Sequence, residues 1–266
     1  MTSFTHSEQR ALIGQIERLA MHTWPAQTTT LYGPWVLRSS EGITKRANSV
    51  WTSSDAPLPE GDWFGDVSRF YRRQGLSPIY HISDISPDGL ERYLDQQGYR
   101  KEAPCSVMIA ATSEVIRNTA PDAGDEEALA VHIRLEHDDD WLEHFLEAEA
   151  FDSSKKRFYD RLCADIKPLK GFITLYANQR FAAVGTVVVE EGWAGIINVA
   201  VAPRLRGQGI GRKLMNQLAL WSREQGAEHM YLQVLDDNEA ARKLYRRAGF
   251  DVLFGYHYRI GTEANS

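Results

Sequence analysis

Arg206-Gly-Gln-Gly-Ile-Gly-Arg212 is the stretch of this chain best suited to chemistry. An apolar run, Ile197-Asn-Val-Ala-Val-Ala202, precedes it, and a helix-forming run from Arg212 to Gln225 follows. Strand, turn and helix in immediate succession leave glycine amides and a helix N-terminus aimed at one point, an arrangement that favours an anion, typically phosphate. Arg204, Arg206 and Arg212 add full positive charge.

Three phosphate-loop patterns compete for this turn. A Walker A loop requires Gly-Lys-Ser/Thr, but Gly211 is followed by Arg212-Lys213-Leu214. A dinucleotide fingerprint requires Gly-x-Gly-x-x-Gly tight against the strand end; here the third glycine comes one residue early, and residues 202–206 intervene. The third pattern, Arg/Gln-x-x-Gly-x-Gly/Ala after a strand, is met by Arg206, Gly209 and Gly211.

The rest of the chain must position that loop. Its 266 residues suit two domains at roughly 150 residues each. With 43% hydrophobic and 25% charged residues, the composition is that of a globular protein with a core of its own. A net charge of −6 argues against nucleic acid as a partner and suits a cationic substrate somewhat better. Cys105 and Cys163 form no disulfide framework, and the eight histidines show no metal-ligand spacing, so no metal is expected. No signal-peptide core and no apolar run approaching 18 residues is present. The expectation is a cytoplasmic protein, monomer or homodimer, with no membrane or nucleic-acid partner.

Along the chain, a helix is expected over residues 7–21. A hairpin follows, with strands 31–38 and 44–52. Next come a helix over 64–74, a strand over 78–83, a helix over 88–97 and a strand over 105–110. Residues 112–127, with Pro121, Gly124 and four acids from Asp122 to Glu127, read as a linker between domains 1–111 and 128–266. Beyond it the expected order is strand 131–135, an acidic helix 139–151, a helix 157–165, strands 171–177, 182–190 and 194–201, the glycine loop with its helix, strand 229–235, helix 239–248, and closing strands over 250–260.

An internal repeat supports two units. A shift of 151 residues carries Gln74-Gly75 onto Gln225-Gly226, Tyr80 onto Tyr231 and Gly98-Tyr99 onto Gly249-Phe250. The same shift places the glycine loop over Asp55-Ala-Pro-Leu-Pro-Glu60, where prolines remove N–H donors and the acids repel phosphate. A phosphate site of this kind therefore belongs to the second copy.

At Arg206, Gly209 and Gly211 the sequence resembles the GNAT superfamily of N-acetyltransferases. The second resemblance is Asn238-x-x-Ala-x-x-Leu-Tyr245-x-x-x-Gly-Phe250. The family implies an α/β (α+β) fold of two tandem units, each a mixed, mostly antiparallel sheet flanked by helices, the first degenerate. It implies that acetyl-CoA gives its acetyl group directly to a primary amine of a small molecule or peptide. By resemblance, the backbone of Val199, Ala200 and Val201 would hold the pantetheine arm as a peptide adds to a sheet edge. The segment Arg206, Gly207, Gln208, Gly209, Ile210 and Gly211, with Arg212, would hold the pyrophosphate. Asn238 would bind the CoA arm, Tyr245 would protonate the leaving thiolate, and an amide near Val199 would serve the oxyanion.

Each role has a plainer rival. Asn238 suits a helix N-cap, and Tyr245 suits core packing. The base is not legible: Glu190 in the 190–193 turn is the candidate, with a relayed water as the alternative. The acidic helix at Glu136, 138–140, Glu143, Glu147 and Glu149 suits a solvated face better than an acceptor site. Arg38, Arg46, Asn48 and Trp51 are expected to shape the acceptor cleft from the first copy. A non-catalytic acyl-CoA-binding regulatory module is the alternative function, and a Rossmann oxidoreductase is disfavoured by the loop spacing.

Overall fold

The computed structural model describes residues 5–53, 56–121 and 129–261. In chain order the elements are α1 (His6–Thr23), β1 (Thr28–Tyr32), β2 (Trp35–Ser39), β3 (Val50–Trp51), α2 (Trp63–Arg72), β4 (Ile79–Ser83), α3 (Leu90–Gln96) and β5 (Tyr99–Ala111). There follow α4 (Thr112–Thr119), β6 (Ala130–Arg134), α5 (Asp139–Ala148), α6 (Lys156–Asp165), β7 (Leu169–Ala177), β8 (Arg180–Glu190), β9 (Trp193–Val201), α7 (Ile210–Glu224), β10 (His229–Leu235), α8 (Glu239–Ala248) and β11 (Asp251–Gly261). The fold is mixed α/β, as expected.

Two compact units emerge, but not with the expected boundaries. The first takes Met1–Ser106 together with the chain from Leu253 onward, and the second takes Val107–Val252. The physical reason is strand pairing. β11 runs antiparallel to β4, with Tyr256 opposite Ser83 and Tyr258 opposite His81, so most of the final strand belongs to the first unit. The strand order is β1-β2-β3-β4-β11-β5 in the first unit and β5-β10-β9-β8-β7-β6 in the second.

The first hairpin also differs from expectation. Its turn lies at Gly33-Pro34, inside the expected strand 31–38, and pairs Thr28 with Ser39 through Tyr32 with Trp35. Gly33 adopts φ +55°, which reverses the chain there. Of the expected strand 44–52 only Val50–Trp51 remains, because residues 45–47 form a 3₁₀ turn capped by Thr44. Asn48 clamps this loop: its Oδ1 accepts from the amides of Ser40 (2.6 Å) and Gly42 (3.1 Å), and its Nδ2 donates to the Thr44 carbonyl (2.7 Å). That structural duty takes the place of the expected cleft role.

Part of the expected linker is helix α4, which packs in the second unit. Val115 is fully buried, and Asn216 of α7 donates to Thr119 Oγ1 at 3.1 Å. Two adjacent apolar residues in eight carry no readable period. The acids 122–127 lie outside the described residues.

The helix ends recur at the 151-residue offset. After α2, Leu76 N donates to Tyr71 O (3.0 Å) and Gly75 adopts φ +68°; after α7, Ala227 N donates to Ser222 O (2.9 Å) and Gly226 adopts φ +84°. Gly98 and Gly249 close α3 and α8 with φ +77° and +103°. In each case glycine relieves the steric cost of a left-handed helix end.

The two faces of the first unit's sheet differ sharply. One packs Trp35, Leu37, Val50, Tyr80 and Ile82 against Trp63, Val67, Tyr71, Leu90 and Leu94. The other side holds Arg38, only 1% exposed, whose guanidinium donates to the carbonyls of Arg46 (2.7 Å), Met21 (3.4 Å) and Trp24. Beside it, both carboxylate oxygens of buried Glu17 lack a hydrogen-bond partner, and Oε1 lies 3.8 Å from Nδ1 of buried His81. Burial pushes the Glu17 carboxyl up to about 7, against a smaller lowering by the nearby Ser53 and Ser83 hydroxyls, which do not reach hydrogen-bond geometry with it. Burial, with Arg38 behind it, pushes His81 down to about 3. Neither group is comfortable charged.

From the ordinary carboxyl value of 4.5 up to about 7, folded Glu17 keeps a proton that the unfolded chain releases, so its contribution to stability falls as pH rises through that window. At roughly 1.4 kcal/mol per pKa unit, the full effect is about 3 kcal/mol. Glu17→Gln is therefore expected to raise the melting temperature more at pH 8 than at pH 5. Thermal unfolding at both pH values checks this; an equal change at both would show that no buried charge forms.

Candidate active site

The core of the second unit holds its sheet by strand pairing that stops partway. β9 and β10 run parallel from Trp193 opposite His229 to Ile196 opposite Leu232. β9 continues five residues beyond that register and β10 three, so the facing edges part. On its other side β9 stays paired to β8, but irregularly: Thr186 faces Ile197 while Val184 faces Ala200, which places one extra residue in β9. Asn198 absorbs it at φ +55°, its Nδ2 3.4 Å from Thr186 Oγ1. A bulge of this kind bends the strand and redirects its edge. Sequence reasoning misses Asn198; the available signal is an asparagine, tolerant of left-handed backbone, inside an apolar run. Val199 and Val201 are half-buried against the core, and Ala200 is buried.

A 3₁₀ turn at Pro203–Leu205 leads from β9 into the glycine loop. Gly207 and Gly209 adopt φ +76° and +81°, and a side chain on either would meet no atom within 4 Å. Gly209 is the residue that opens α7, and buried Ile210 anchors its first turn. Among the described residues, the amides of Gly207, Gly209, Ile210 and Gly211 have no protein acceptor. Gly211 is small for a different reason: a Cβ there would come within 3.0 Å of Leu244 on α8.

The arginines have work of their own. Arg204 donates to the Phe181 carbonyl and Arg212 to the Ala120 carbonyl. Arg206 bridges two carbonyls, Val201 through Nε (3.3 Å) and Ala148 at the end of α5 through Nη2 (2.7 Å). Gln208 Nε2 reaches the Arg204 carbonyl (3.0 Å). These side chains brace the loop and contribute positive field, while the backbone amides are the donors left available.

Asn238 caps α8, its Oδ1 accepting from Ala241 N at 3.1 Å, so the plainer role is realised. Tyr245 on the same helix is 8% exposed, its ring 6.1 Å from Phe250. Desolvation, followed by the negative charge of Glu149, raises its phenol to about 12, which keeps it protonated. Glu190 is not brought to this place. It pairs with Trp193 at the start of β9, six residues or about 20 Å of strand from Val199.

The acids of α5 are mostly engaged locally. Asp138 caps the helix and pairs with Arg134, Asp139 and Glu143 pair with Lys156, and Glu136 pairs with Lys170. Among the described residues no group of three or more His, Cys, Asp or Glu is placed to hold a metal ion, and no helix is long and apolar enough to cross a membrane.

In the first unit the ends of β3 and β4 are closed. Past Trp51 opposite His81, Thr52 Oγ1 donates to the His81 carbonyl (2.8 Å) and lies 2.8 Å from Ser86 Oγ, while Ser53 Oγ lies 3.1 Å from Ser83 Oγ. Hydroxyls stitch together edges that part in the second unit. Residue 55 of the counterpart loop lies outside the described residues; prolines 57 and 59 stand within them.

Comparison with known proteins agrees with this geometry. The family described as "Probable histone acetyltransferase Rv0428c C-terminal" matches residues 10–259. The chain is 37% identical over 248 residues to the uncharacterized N-acetyltransferase YobR of Bacillus subtilis, covering 93% of this chain and 98% of that protein. A GCN5-related N-acetyltransferase from Kribbella flavida superposes with a TM-score of 0.69 at 15% identity, covering 96% of each chain. A tandem GNAT protein from the clavulanic acid biosynthesis pathway superposes with a TM-score of 0.64 at 10% identity, covering 94% of this chain and 88% of that one. These two structures speak to the fold. With parted strands leading into a braced glycine loop, and with this coverage by relatives, the chain belongs to the GNAT family of N-acetyltransferases and is an acyltransferase enzyme.

Proposed function

We propose that the second unit binds acetyl-CoA and transfers its acetyl group directly to a primary amine of a small molecule or peptide. The observation that carries this reading is the parting of β9 from β10 beside four unclaimed amides at Gly207, Gly209, Ile210 and Gly211. The amides and the positive end of α7 suit the pyrophosphate, and the free edge of Val199–Val201 suits the amide groups of pantetheine. An extended thioester on that edge brings its carbonyl to the bulge at Asn198-Val199, where a strand amide serves the oxyanion. Tyr245 supplies the proton to the departing sulfur. A phenol held protonated by burial suits a donor, provided the collapsing intermediate drives the transfer.

The recurrent helix caps at an offset of 151 residues support a duplicated unit whose first copy no longer holds acetyl-CoA. The hydroxyl stitches at Thr52 and Ser53 support the same reading. Two buried free thiols, Cys105 and Cys163, suit a reducing cytoplasm.

Gly209→Val forces a β-branched residue into the left-handed region and is expected to weaken acetyl-CoA binding at least tenfold, measured by calorimetry, with the fold intact by circular dichroism. Unchanged affinity would remove the pyrophosphate cradle. Tyr245→Phe is expected to leave acetyl-CoA affinity intact and lower kcat about 100-fold in a thiol-release assay with amines. A wild-type rate in that variant would exclude Tyr245 as the donor. A protein that binds acetyl-CoA yet releases no thiol with any amine would be the acyl-CoA-binding module instead.

A further inference from the structure

One cavity of the second unit is lined by no residue of the glycine loop. Strands β6 and β7 pair antiparallel, with Arg134 opposite Phe172, His132 opposite Thr174 and Ala130 opposite Tyr176. Alternate residues of a strand share a face, so Arg134, His132, Phe172, Thr174 and Tyr176 stand on one side of the sheet. The start of α5 meets that side with Asp138, Asp140 and Trp141, and a cavity of about 140 Å³ lies between helix and strands. It is separate from the proposed reaction centre. α5 packs over β8 and β9, whereas the cavity stands over β6 and β7, and β7 lies two strands, roughly 10 Å, from β9.

The apolar walls of the cavity are rings. Trp141, 2% exposed, meets Phe172 edge to face at 5.0 Å, and His132 lies 4.9 Å from Tyr176. The acids at the start of α5 are not equivalent. Asp138 accepts the Trp141 amide through Oδ1 (2.8 Å) and pairs with Arg134 Nε through Oδ2 (3.0 Å), and Asp139 pairs with Lys156 (3.1 Å). A helix cap and two ion pairs account for those two residues. Asp140 has neither a hydrogen bond nor an ion pair among the described residues. The same holds for the hydroxyls of Thr174, 5% exposed, and Tyr176. A buried hydroxyl left without a partner is costly, and Thr174 lines the cavity that could supply one. Desolvation, followed by the negative charges of Asp140 and Asp138, raises the Tyr176 phenol, so its oxygen stays neutral beside them.

We infer that this cavity is a binding site for a primary alkylammonium, separate from the amine that receives the acetyl group. The unclaimed groups are the Asp140 carboxylate and the hydroxyl oxygens of Thr174 and Tyr176, all acceptors, and a primary ammonium carries three N–H donors. Asp140 supplies the opposite charge and a charge-assisted hydrogen bond. The rings of Trp141, Phe172 and Tyr176 cover the alkyl stem and attract the cation. An anion finds no open partner here, because Arg134 is committed to Asp138. A quaternary ammonium meets the rings but has no N–H for Asp140 or Thr174. The volume suits an ammonium with a short alkyl stem.

The test titrates n-butylammonium into the full chain without acetyl-CoA, followed by nitrogen–proton NMR at the Trp141 indole, a signal that Trp141→Phe assigns. A saturable shift with a millimolar Kd is expected. 1-Butanol, of similar size but uncharged, is expected to give no saturation, and tetramethylammonium to bind about fivefold more weakly or worse. Asp140→Asn should raise Kd about tenfold or more and Thr174→Val about threefold, with the fold intact by circular dichroism. Asp139→Asn removes a neighbouring acid that is already paired and should leave Kd unchanged within about twofold. Absence of saturation with n-butylammonium, or equal binding of 1-butanol, overturns the site. Equal losses in Asp139→Asn and Asp140→Asn overturn it as well, because they report a diffuse acidic surface. Tighter binding of tetramethylammonium overturns the primary-ammonium class. The readout needs neither acetyl-CoA nor turnover, so it decides the cavity independently of the proposed function.

Discussion

One extra residue in β9 governs the second unit. Because Thr186 faces Ile197 while Val184 faces Ala200, the strand must bend at Asn198, and its far edge leaves β10 after Ile196. Backbone groups that would otherwise complete a ladder become available, a state normally costly in a protein interior. The left-handed asparagine stores that distortion locally, and the continuing β8 pairing on the other edge holds it in place.

The loop after the bulge is rigid for a related reason. Three arginines that composition alone assigns to an anion instead donate to carbonyls at Phe181, Val201, Ala148 and Ala120. Each fastens the loop or its helix to a different element, so the glycine amides keep their aim without being consumed by protein acceptors. α4 adds a further brace through Asn216 and Thr119. The cost of such a preorganised site is met during folding rather than at binding.

The first unit treats its strand ends differently. Serine and threonine hydroxyls close the strand ends, and the α1 side of the sheet carries the uncompensated pair Glu17 and His81. A buried carboxylate without a donor is an expensive feature for a purely structural layer.

Much of this was legible in the sequence, for local reasons. Gly75, Gly98, Gly226 and Gly249 mark helix ends because only glycine is at ease with the left-handed backbone there, and the two pairs stand at one shared offset of 151 residues. Arg206, Gly209 and Gly211 marked the loop, and Asn238 announced a cap, because backbone geometry within a few residues dictates both. What only the tertiary structure decided was anything depending on which strand lies beside which. β11 joins the first unit because its hydrogen bonds go to β4, a partner far away in sequence. Glu190 falls at the wrong end of β9 because register, not proximity along the chain, sets its place. The end of α5 stands beside β9 because one guanidinium, Arg206, ties Ala148 to Val201, a long-range contact with no local sequence signature.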